Sequence, residues 1–373
     1  MKTIVHTTIS PCDNERRIFH EAETGVAAGY RVVILALKTP DVPKEETRRG
    51  FCIQRLWIPF WRGGPLKFLL FNLRLFIRLL FTKFDLLHCH DLWVLPASAL
   101  AARLRSRKLV YDAHEYYAGL EIFLHKRLSR TVWLWTQKLL ISRVDALIAI
   151  NTHQLKLYQQ DFPQLKQGWV LHNFPRKSQS TEADPPPFEQ RQNCAVFQGI
   201  FKPGRGLLSL LAAAEHLEDE EEIWLIGFGE LEPIIQKQLS DHSRRSHIRL
   251  LGKLPLEDIP HYTRSARAGL VLFEPTSINY RYASPNKFFE YVHAGTPLVA
   301  SRIPPFEAFN QQFEVALLVD PNNPMEISRA IRTLLRDAQV WTRLHQQCMQ
   351  ARNVWNWEQQ EKQLQIIYQQ LSL

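Results

Sequence analysis

The chain has 373 residues, of which 45% are hydrophobic, and at about 100–200 residues per domain this length predicts two domains with full cores. Its formal net charge of +9 favours an anionic partner such as a nucleotide or a membrane surface, and no motif indicates nucleic-acid binding. The sequence has no charge-free apolar stretch of about 18 residues and no signal-peptide pattern, and its five dispersed cysteines indicate reduced thiols, so we expect a cytosolic protein.

The first half of the chain alternates short apolar segments with segments of helical length. A helix is predicted from about Glu15 to Ala28, where Gly29 ends it. The predicted strands are rich in β-branched and large apolar residues, and in chain order they read TIVHTTI, RVVILAL, CIQRLWI, DLLHC, KLVYDA and ALIAI. This alternation predicts a parallel sheet that is covered by helices on both faces.

A polar segment with three consecutive prolines, at 176–193, interrupts this pattern and is interpreted as a linker. The alternation then resumes with the predicted strands CAVFQG, EIWLIG, IRLLG, AGLVLF, PLVAS and VALLV, and three helical segments close the chain. We expect domains at 1–178 and 193–354, a linker at 179–192 and a last helix at 355–373. The fold class is α/β, with two doubly wound, Rossmann-like domains facing a central cleft, and such sheets bind ligands at the carboxyl ends of their strands.

The segment SPNKFFE is predicted to begin a helix. Ser284 suits the N-cap and Pro285 the first helical position, so that Asn286 and Lys287 fall in the first turn. Unpaired backbone N–H groups converge there and favour an anion, whereas a lysine without an anion opposes the helix dipole. Glu290 lies on the same helix face, where its carboxylate can accept hydrogen bonds from a sugar diol. The alternative is a capped surface helix with a solvated Lys–Glu pair.

Two glycine-containing loops follow predicted strands in the same half of the chain. In FQGIFKPGRGLL the strand ends at Gly199, and Lys202 and Arg205 lie in the loop before the next helix. In LIGFGELEP, Gly227 and Gly229 end the next strand. Glycines let the backbone approach a phosphate, and an arginine can bind it with two hydrogen bonds. Each loop alone is equally typical of an ordinary tight turn, but together with the SPNK segment they indicate an anion site.

Histidines and carboxylates follow two predicted strands of the first half. LLHCHDLWVLP places His88 and His90 at strand spacing, with Asp91 next, and YDAHEYY places His114 and Glu115 at the end of another strand. These side chains can bind a metal, contact a substrate or hydrogen-bond to one another. We interpret His88, inside its strand, as a core residue and His114, at the end of its strand, as a functional one.

With these motifs in order, the chain resembles family 4 retaining glycosyltransferases of the GT-B fold over nearly its whole length. The SPNK variant is typical of members that build bacterial surface polysaccharides. The segments that carry the resemblance are DNERRIFHEAETGVAAGYRVVILAL, HCHDLWVLPASALAARL, VYDAHE, LHNFP, FQGIFKPGRGLLSLL, LIGFGELEP, LLGKLPLEDIPHYTRSARAGLVL, SPNKFFEYVHAGTPLVAS and NWEQQEKQL.

The resemblance implies a nucleoside-diphosphate sugar bound to the second domain, a carbohydrate or lipid-linked acceptor, and a last helix that returns to the first domain. It places Lys287 at the diphosphate, Arg205 where the family has a phosphate-binding lysine, and Glu290 at the ribose. It also places the backbone of Leu254 at the base and His114 beside the donor sugar. The expected donor-binding residues are Gly199, Lys202, Arg205, Gly227, Gly229, Leu254, Tyr282, Pro285, Asn286, Lys287 and Glu290. The expected catalytic residues are His114, Arg205 and Lys287, and those on the acceptor side are Arg16, Arg17, His90, Asp91 and Glu115.

Two positions depart from the family pattern. Ile200 stands where the family has a phosphate-binding arginine. Tyr282, eight residues before Glu290, stands where the family has a glutamate that contacts the donor sugar. Because Arg205 and Lys287 are kept, these departures bear on sugar recognition rather than on diphosphate binding.

The chemistry that the resemblance implies is transfer of a sugar to an acceptor hydroxyl with retention of configuration. Fixed cations and N–H dipoles can stabilise the leaving diphosphate, and no DxD motif follows a predicted strand, so we expect no metal ligands and no cofactor. Three alternatives stay open: another GT-B activity such as a sugar-nucleotide epimerase or a phosphorylase, a non-catalytic partner subunit, and a metal-dependent hydrolase that uses the HCHD and DAHE segments.

The segment PLKFLLFNLRLFIRLLFTKF, at 65–84, carries Lys67, Arg74 and Arg78 in one stripe of a predicted helix, among large apolar residues. A basic stripe of this kind suits the headgroup layer of an anionic membrane. We therefore expect peripheral binding at the inner membrane face. The alternative is a crossover helix that buries its apolar face against its own sheet.

Overall fold

A computed structural model describes residues 1–59, 63–120, 126–177, 184–240 and 247–371. The chain forms two compact units, of which the first comprises Met1–His172 with Gln359–Leu373 and the second Asn173–Glu358. Each unit contains one sheet with helices around it, and the predicted fold class, α/β with two Rossmann-like units, is confirmed. Among the described helices none is both long enough and apolar enough to cross a membrane.

The sheet of the first unit has eight described strands in the order β3-β4-β2-β1-β5-β6-β7-β8. Neighbouring strands run parallel, except that β3 pairs antiparallel with β4. In chain order the strands are β1 (Thr3–Thr7), β2 (Arg31–Leu37), β3 (Glu45–Arg48), β4 (Phe51–Leu56), β5 (Leu86–His90), β6 (Lys108–Ala113), β7 (Ala146–Ala149) and β8 (Gly168–Val170). The central strands β1 and β5 are buried along their whole length, as expected for a parallel sheet that is covered on both faces.

The helices of the first unit connect these strands. They are α1 (Arg16–Ala27), α2 (Pro65–Phe81), α3 (Leu95–Leu104), α4 (Arg127–Leu140) and α5 (Thr152–Asp161). On α1 the face toward the sheet buries Arg17, Glu21 and Ile18, so this helix carries charged groups into the interior as well as apolar ones.

The sheet of the second unit has six described strands, all parallel, in the order β11-β10-β9-β12-β13-β14. They are β9 (Gln192–Ile200), β10 (Glu222–Phe228), β11 (Ile248–Gly252), β12 (Ala266–Val271), β13 (Leu298–Ser301) and β14 (Ala316–Val319). The helices are α6 (Leu207–Ala213), α7 (Glu232–Ser240), α8 (Ile259–Ser265), α9 (Ile278–Arg281), α10 (Asn286–His293), α11 (Pro304–Gln312), α12 (Pro324–Arg336) and α13 (Ala338–Val354). The last helix, α14 (Trp357–Gln370), begins in this unit and belongs to the first unit from Gln359 onward.

Every strand predicted from an apolar segment is present, but β3 and β8 were not predicted. The sequence of β3 is EETR, which offers no apolar alternation, and β8 has only three residues. Both lie at the edges of their sheet, where a strand needs no apolar side chains on both faces.

The predicted linker at 179–192 is partly outside the described residues, which omit 178–183. The chain on both sides of this gap packs into the second unit. Phe174 stacks on Trp355 and contacts Phe289, and the buried guanidinium of Arg191 donates hydrogen bonds to the Ala266 carbonyl and the Thr296 hydroxyl. The units therefore divide at residues 172 and 359, a few residues from the expected boundaries at 178 and 355.

Candidate functional site

The two glycine loops of the second unit lie against each other at the carboxyl ends of β9 and β10. Gly199, Gly227 and Gly229 have φ angles of +134°, +149° and +154°, which side-chain-bearing residues rarely adopt. A Cβ on Gly227 would collide with the Gly199 carbonyl oxygen, and one on Gly229 with the Phe201 carbonyl oxygen. The glycines thus permit a close backbone packing that brings both loops to one edge of the sheet.

The loop before α6 is closed by a carboxylate that the sequence analysis did not identify. The Gly206 N–H donates to Oε1 of Glu274 at 3.1 Å, and the Glu274 N–H donates to the Gly204 carbonyl at 3.0 Å. Gly204 lies against the ring of Tyr280, so that any Cβ at this position would collide with the ring. The available signal was a carboxylate directly after the strand AGLVLF, at the edge where the glycine loops end.

Lys287 and Arg205 bring two cations together beside this loop. Lys287 is only 7% exposed, and its ammonium lies 3.7 Å from the centre of the Phe197 ring. The Arg205 guanidinium lies over the Phe273 ring at 5.6 Å, and its Nη1 is 3.6 Å from where a Cβ of Gly199 would be. Neither Lys287 Nζ nor Arg205 Nε makes a hydrogen bond with any residue that the structure describes.

The charge on Lys287 is therefore held in an unfavourable place. Burial lowers the pKa of its ammonium well below the usual value, and the neighbouring charge of Arg205 lowers it further, while Glu290 acts in the opposite sense. An anion between the two cations would counteract the lowering of the Lys287 pKa by burial and by Arg205, because it would supply negative charge and hydrogen-bond acceptors together.

The N-terminus of α10 differs by one residue from the sequence-based expectation. The helix begins at Asn286 with Pro285 in the N-cap position, because the backbone of Pro285 is extended, with φ −76° and ψ 144°. Ser284 consequently lies outside the helix, and its buried hydroxyl makes no hydrogen bond with a described residue. The exposed Asn286 side chain accepts a hydrogen bond from Asn173 Nδ2 at 2.7 Å. The expected N-cap role of Ser284 is thus wrong.

Glu290 is oriented by residues at the end of β9. Gln198 donates from Nε2 to Glu290 Oε2 at 2.5 Å and accepts from the Thr263 hydroxyl at 3.0 Å. The neighbouring Tyr291 hydroxyl donates to the Val196 carbonyl at 2.9 Å. This chain of hydrogen bonds fixes the carboxylate one helical turn beyond Lys287, and Gln198 was not identified from the sequence.

The structure gives the other expected donor-binding residues different neighbours. The Lys202 ammonium lies 5.3 Å from the centre of the Tyr280 ring. Leu254 follows β11 and packs against the apolar core of the unit, and Tyr282 follows α9 with the Arg281 guanidinium 5.8 Å from its ring. Of the expected donor-binding residues, those that lie beside one another are thus the glycine loops, Arg205, Lys287 and Glu290.

In the first unit, Arg17 is buried rather than exposed toward an acceptor. Its Nε and Nη2 donate to the two oxygens of Asp112 at 2.8 and 2.6 Å, and its Nη1 donates to the Leu171 carbonyl at 2.8 Å. The expectation of an acceptor contact for Arg17 is not supported, because all three of these donors are used inside the unit. Arg17 lies on the face of α1 that packs on the sheet, whereas Arg16 beside it is exposed.

Asp112 is the centre of a group of charged side chains at the carboxyl ends of β5 and β6. Its Oδ2 lies 3.2 Å from His90 Nδ1 and 3.0 Å from His114 Nε2. Asp91 lies on the other side of His114, and its Oδ1 accepts from the His114 backbone N–H at 3.3 Å. Glu115 is exposed. Although burial opposes it, the two carboxylates raise the pKa of His114 to about 9.

His88 is fully buried, as expected for a core residue, and it belongs to a second group that includes two residues the sequence analysis did not single out. His6 lies opposite His88 in the register of β1 and β5, and their rings stack with centres 4.6 Å apart. Glu21 of α1 reaches the same place, with Oε2 3.3 Å from His88 Nε2. No local pattern marks His6 or Glu21, because their proximity to His88 depends on strand order.

Comparisons with known proteins agree with this architecture. The family model described as "Glycosyl transferase 4-like domain" matches residues 15–167, and the model described as "Glycosyl transferases group 1" matches residues 192–337. A search of curated protein sequences finds no significant match.

Three solved structures illustrate the similarity of fold. Sucrose-phosphate synthase from Thermosynechococcus elongatus superposes with a TM-score of 0.77 at 18% identity, covering 100% of this chain and 99% of that chain. Anabaena HepE in complex with UDP-glucose gives a TM-score of 0.76 at 14% identity and 99% and 100% coverage. A structure from E. coli described as "Trehalose-6-phosphate", bound with UDP-2-fluoro glucose, gives 0.74 at 14% identity, with 100% and 99% coverage.

Proposed function

The chain belongs to the family 4 glycosyltransferases of the GT-B fold, and from this we propose that it moves a sugar from a nucleoside-diphosphate sugar to an acceptor hydroxyl with retention of configuration. We propose a carbohydrate or a lipid-linked carbohydrate as the acceptor, in the synthesis of a polysaccharide or glycolipid. HepE was solved with UDP-glucose and the E. coli structure with UDP-2-fluoro glucose, which makes UDP-sugars the first donors to test.

The observation that carries the proposal is the pair of cations formed by Lys287 and Arg205. A buried ammonium without a hydrogen-bond partner costs folding free energy, and a second cation beside it increases that cost. A diphosphate would supply the missing negative charge and acceptors. Ser284, whose hydroxyl is also buried without a hydrogen bond to a described residue, adds a neutral donor in the turn before Lys287.

The same part of the structure supports the other donor contacts that we propose. Gly199 and Gly229, at the carboxyl ends of β9 and β10, are half-buried and carry no side chain, which would let a phosphate approach the backbone there. Glu290 is held by Gln198, so its carboxylate is oriented before a ribose diol arrives. We propose that Arg205 and Lys287 bind the diphosphate and that Glu290 binds the ribose.

In the reaction, the bond between the sugar and the diphosphate breaks and the acceptor oxygen bonds to the sugar. The departing phosphate oxygen gains negative charge and takes the proton of the acceptor hydroxyl. Arg205 and Lys287 would stabilise that charge, and cations in a site that excludes water do so most strongly. We propose no protein nucleophile and no divalent metal for this step, since the two side chains occupy the role that a metal would have. His114 belongs to the first unit, and its place beside the donor sugar stays a prediction.

We also propose that the first unit binds peripherally to an anionic membrane through α2. The helix buries Phe71, Leu75 and Leu79, yet the opposite side exposes large apolar residues, among them Leu69 at 66% and Phe81 at 81%. A crossover helix that served only its own sheet would not need this second apolar side. On α4, exposed apolar residues also recur at helical spacing, at Leu128, Val132, Trp135 and Leu139.

The test is a thermal-shift screen against nucleotide sugars, followed by product analysis. A donor at one hundred times its dissociation constant should stabilise the protein by about 2.7 kcal/mol. The stabilising donor is then incubated with candidate acceptors, and the anomeric configuration of the new bond is read by NMR. Inversion would reject the retaining mechanism. Donor binding without turnover would favour a non-catalytic subunit, and formation of an epimer or a sugar phosphate would favour another GT-B activity.

A further inference from the structure

Four buried side chains that can bind a metal meet inside the first unit, apart from the proposed donor site. His6 comes from β1, Glu21 from α1, and His88 and His90 from β5. Their exposed fractions are 0%, 0%, 0% and 1%. One ligand atom of each lies within 4.8 Å of the ligand atoms of the other three. The parallel register of β1 and β5 places His6 beside His88, and His90 points to the same face because it is two residues further along its strand.

The distances between these atoms are close to those of a tetrahedral site. His6 Nδ1 lies 2.9 Å from His90 Nε2, and Glu21 Oε2 lies 3.3 Å from His88 Nε2 and 3.8 Å from His90 Nε2. Ligand atoms at about 2.0–2.1 Å from a tetrahedral zinc ion are separated by about 3.3 Å.

The group also contains polar atoms that the protein does not satisfy. Neither oxygen of Glu21 makes a hydrogen bond with a described residue, and His88 Nε2 makes none either. Arg17 Nε is 3.1 Å from Glu21 Oε1, but its hydrogen bonds go to Asp112. Buried carboxylates and imidazoles without hydrogen bonds are costly, and coordination to a cation would remove that cost.

The ring nitrogens on the far sides of two histidines have the partners that metal-binding histidines usually have. His88 Nδ1 lies 2.9 Å from the Tyr368 hydroxyl of α14, and His90 Nδ1 lies 3.2 Å from Asp112 Oδ2. Such partners fix the orientation of the ring and direct the lone pair of the other nitrogen toward the ion.

We propose that His6, Glu21, His88 and His90 bind one divalent transition-metal ion, for which zinc is the best match to three imidazoles and one carboxylate. The site is closed, since all four ligands are buried, and four protein ligands would fill the coordination of a tetrahedral ion, so we assign the ion a structural role. It would join α1, β1 and β5, and through Tyr368 it would support α14. This departs from the expectation, drawn from motifs alone, that the chain has no metal ligands.

The first experiment uses the wild-type protein. The chain is stripped of metal by chelator in mild denaturant, refolded with Co²⁺ or Zn²⁺, and passed through a desalting column. We expect one equivalent of metal per chain, visible Co²⁺ absorption bands of tetrahedral intensity, and a zinc X-ray absorption shell of three imidazoles and one oxygen. No retained metal, or a first shell with fewer than two imidazoles, would overturn the proposal and leave a cluster held together by its own hydrogen bonds.

The second experiment assigns the ion to these residues. In His6→Gln/His88→Gln the Co²⁺ bands should disappear, whereas His261→Gln, which changes a surface histidine of the second unit, should keep them. Far-UV circular dichroism checks that the variant folds, and if it does not, the wild-type absorption spectrum still decides the question. Bands that persist in the folded double variant would overturn the assignment.

Discussion

Lys287 places an ammonium group inside the second unit without a hydrogen bond to any described residue. Such a group costs folding free energy, and chains keep it only where it serves another purpose. Its neighbours are the aromatic rings of Phe197 and Phe273 and the cation of Arg205. The rings stabilise the charge only in part, because a cation–π contact contributes about 0.5–2 kcal/mol. The burial of the Lys287 charge is therefore better explained by a bound anion than by a role in folding.

This explanation predicts that Lys287→Met and Arg205→Ala impair donor binding and catalysis more than folding. A charge-assisted hydrogen bond contributes roughly 1.5–3 kcal/mol, so each variant should lose about tenfold to a hundredfold in kcat/KM. The melting temperature without donor should not fall in Lys287→Met, because the change removes a buried, unpaired charge. Steady-state kinetics and thermal melts measure the two effects.

The matched control is Lys237→Met, which changes an exposed lysine on a helix of the same unit. It should leave both kcat/KM and the donor-induced thermal shift unchanged. Wild-type turnover of the Lys287 variant at limiting and saturating donor would contradict the proposed role.

The lowered pKa of Lys287 also predicts how donor binding depends on pH. In the free protein the ammonium loses its proton at a pH below its usual value, because burial and Arg205 disfavour the charge. A bound diphosphate favours the charged form of Lys287 and raises its pKa. Binding should therefore be accompanied by proton uptake once the pH exceeds the pKa that Lys287 has in the free protein. The dissociation constant should then rise up to tenfold per pH unit.

Titration calorimetry in two buffers of different ionisation enthalpy measures this proton uptake. Lys287→Arg is the control, since an arginine stays protonated throughout this range. A dissociation constant that rises equally with pH in the wild type and in Lys287→Arg would assign the effect to another group.

At the scale of elements, the contact between the ends of β9 and β10 explains why Gly227 must be a glycine. Gly227→Ala combines an unfavourable φ with a collision between the new Cβ and the Gly199 carbonyl oxygen. Gly252→Ala has an unfavourable φ as well, +69°, but nothing lies within 4 Å of its new Cβ. The backbone effect should cost about 1–2 kcal/mol in Gly252→Ala, which needs the left-handed helical region, and about 1–3 kcal/mol in Gly227→Ala, whose φ of +149° lies in a region that almost only glycine adopts.

We expect Gly227→Ala to lose a further 1–3 kcal/mol, roughly, because of the collision. Chemical denaturation of the two variants measures the difference. Equal free energies of unfolding would show that the loops after β9 and β10 can move apart, which would contradict the inference that they are packed tightly at this edge of the sheet.

The helix α2 gives a second prediction at the same scale. If its exposed apolar side and its basic residues bind an anionic membrane, then replacing Lys67, Arg74 and Arg78 by glutamine should weaken binding. Each basic residue near such a surface contributes about 1 kcal/mol, so the triple variant should partition about a hundredfold less well. Co-sedimentation with vesicles that contain anionic lipid measures this.

The control is a second triple variant in which Lys237, Arg249 and Arg329, which are exposed on the second unit, are replaced by glutamine. It has the same net charge as the α2 variant, so it separates a local effect from an overall one. Equal partitioning of all three proteins, or none by any of them, would reject α2 as the membrane-binding segment.

For the molecule as a whole, the cations of the proposed donor site predict activity without added divalent metal. In the proposed role, Arg205 and Lys287 would neutralise the diphosphate in place of Mg²⁺ or Mn²⁺. Dialysis against EDTA should change turnover less than twofold, and addition of Mg²⁺ or Mn²⁺ should not increase it.

A loss of activity that Mg²⁺ or Mn²⁺ alone restores would contradict this prediction. The proposed site at His6, Glu21, His88 and His90 is a separate matter, because nitrogen ligands select zinc-like ions rather than Mg²⁺ or Mn²⁺. Metal analysis of the dialysed protein distinguishes the two cases.

Sequence patterns alone predicted the succession of most strands and helices along the chain, the helix start near SPNK and the positions of the glycine loops. These features are local: apolar alternation marks a strand, a helix start lies within a few residues of SPNK, and positive φ angles require glycine where a chain turns tightly. Local patterns did not determine the first residue of α10, which Pro285 shifted by one position, or the edge strands β3 and β8, whose sequences carry little apolar signal.

Only the tertiary structure decided which distant side chains meet. Arg17 and Asp112 are far apart in the chain, and their ion pair forms because α1 packs on the sheet beside the end of β6. His6 and Glu21 join His88 because β1 lies next to β5, an adjacency that no local pattern encodes. Glu274 acquires its partner because β12 lies next to β9, and Gln198 acquires its partners from α10 and α8. The order of strands within a sheet depends on how whole helices and strands are buried against one another, whereas a motif depends only on the few residues around it.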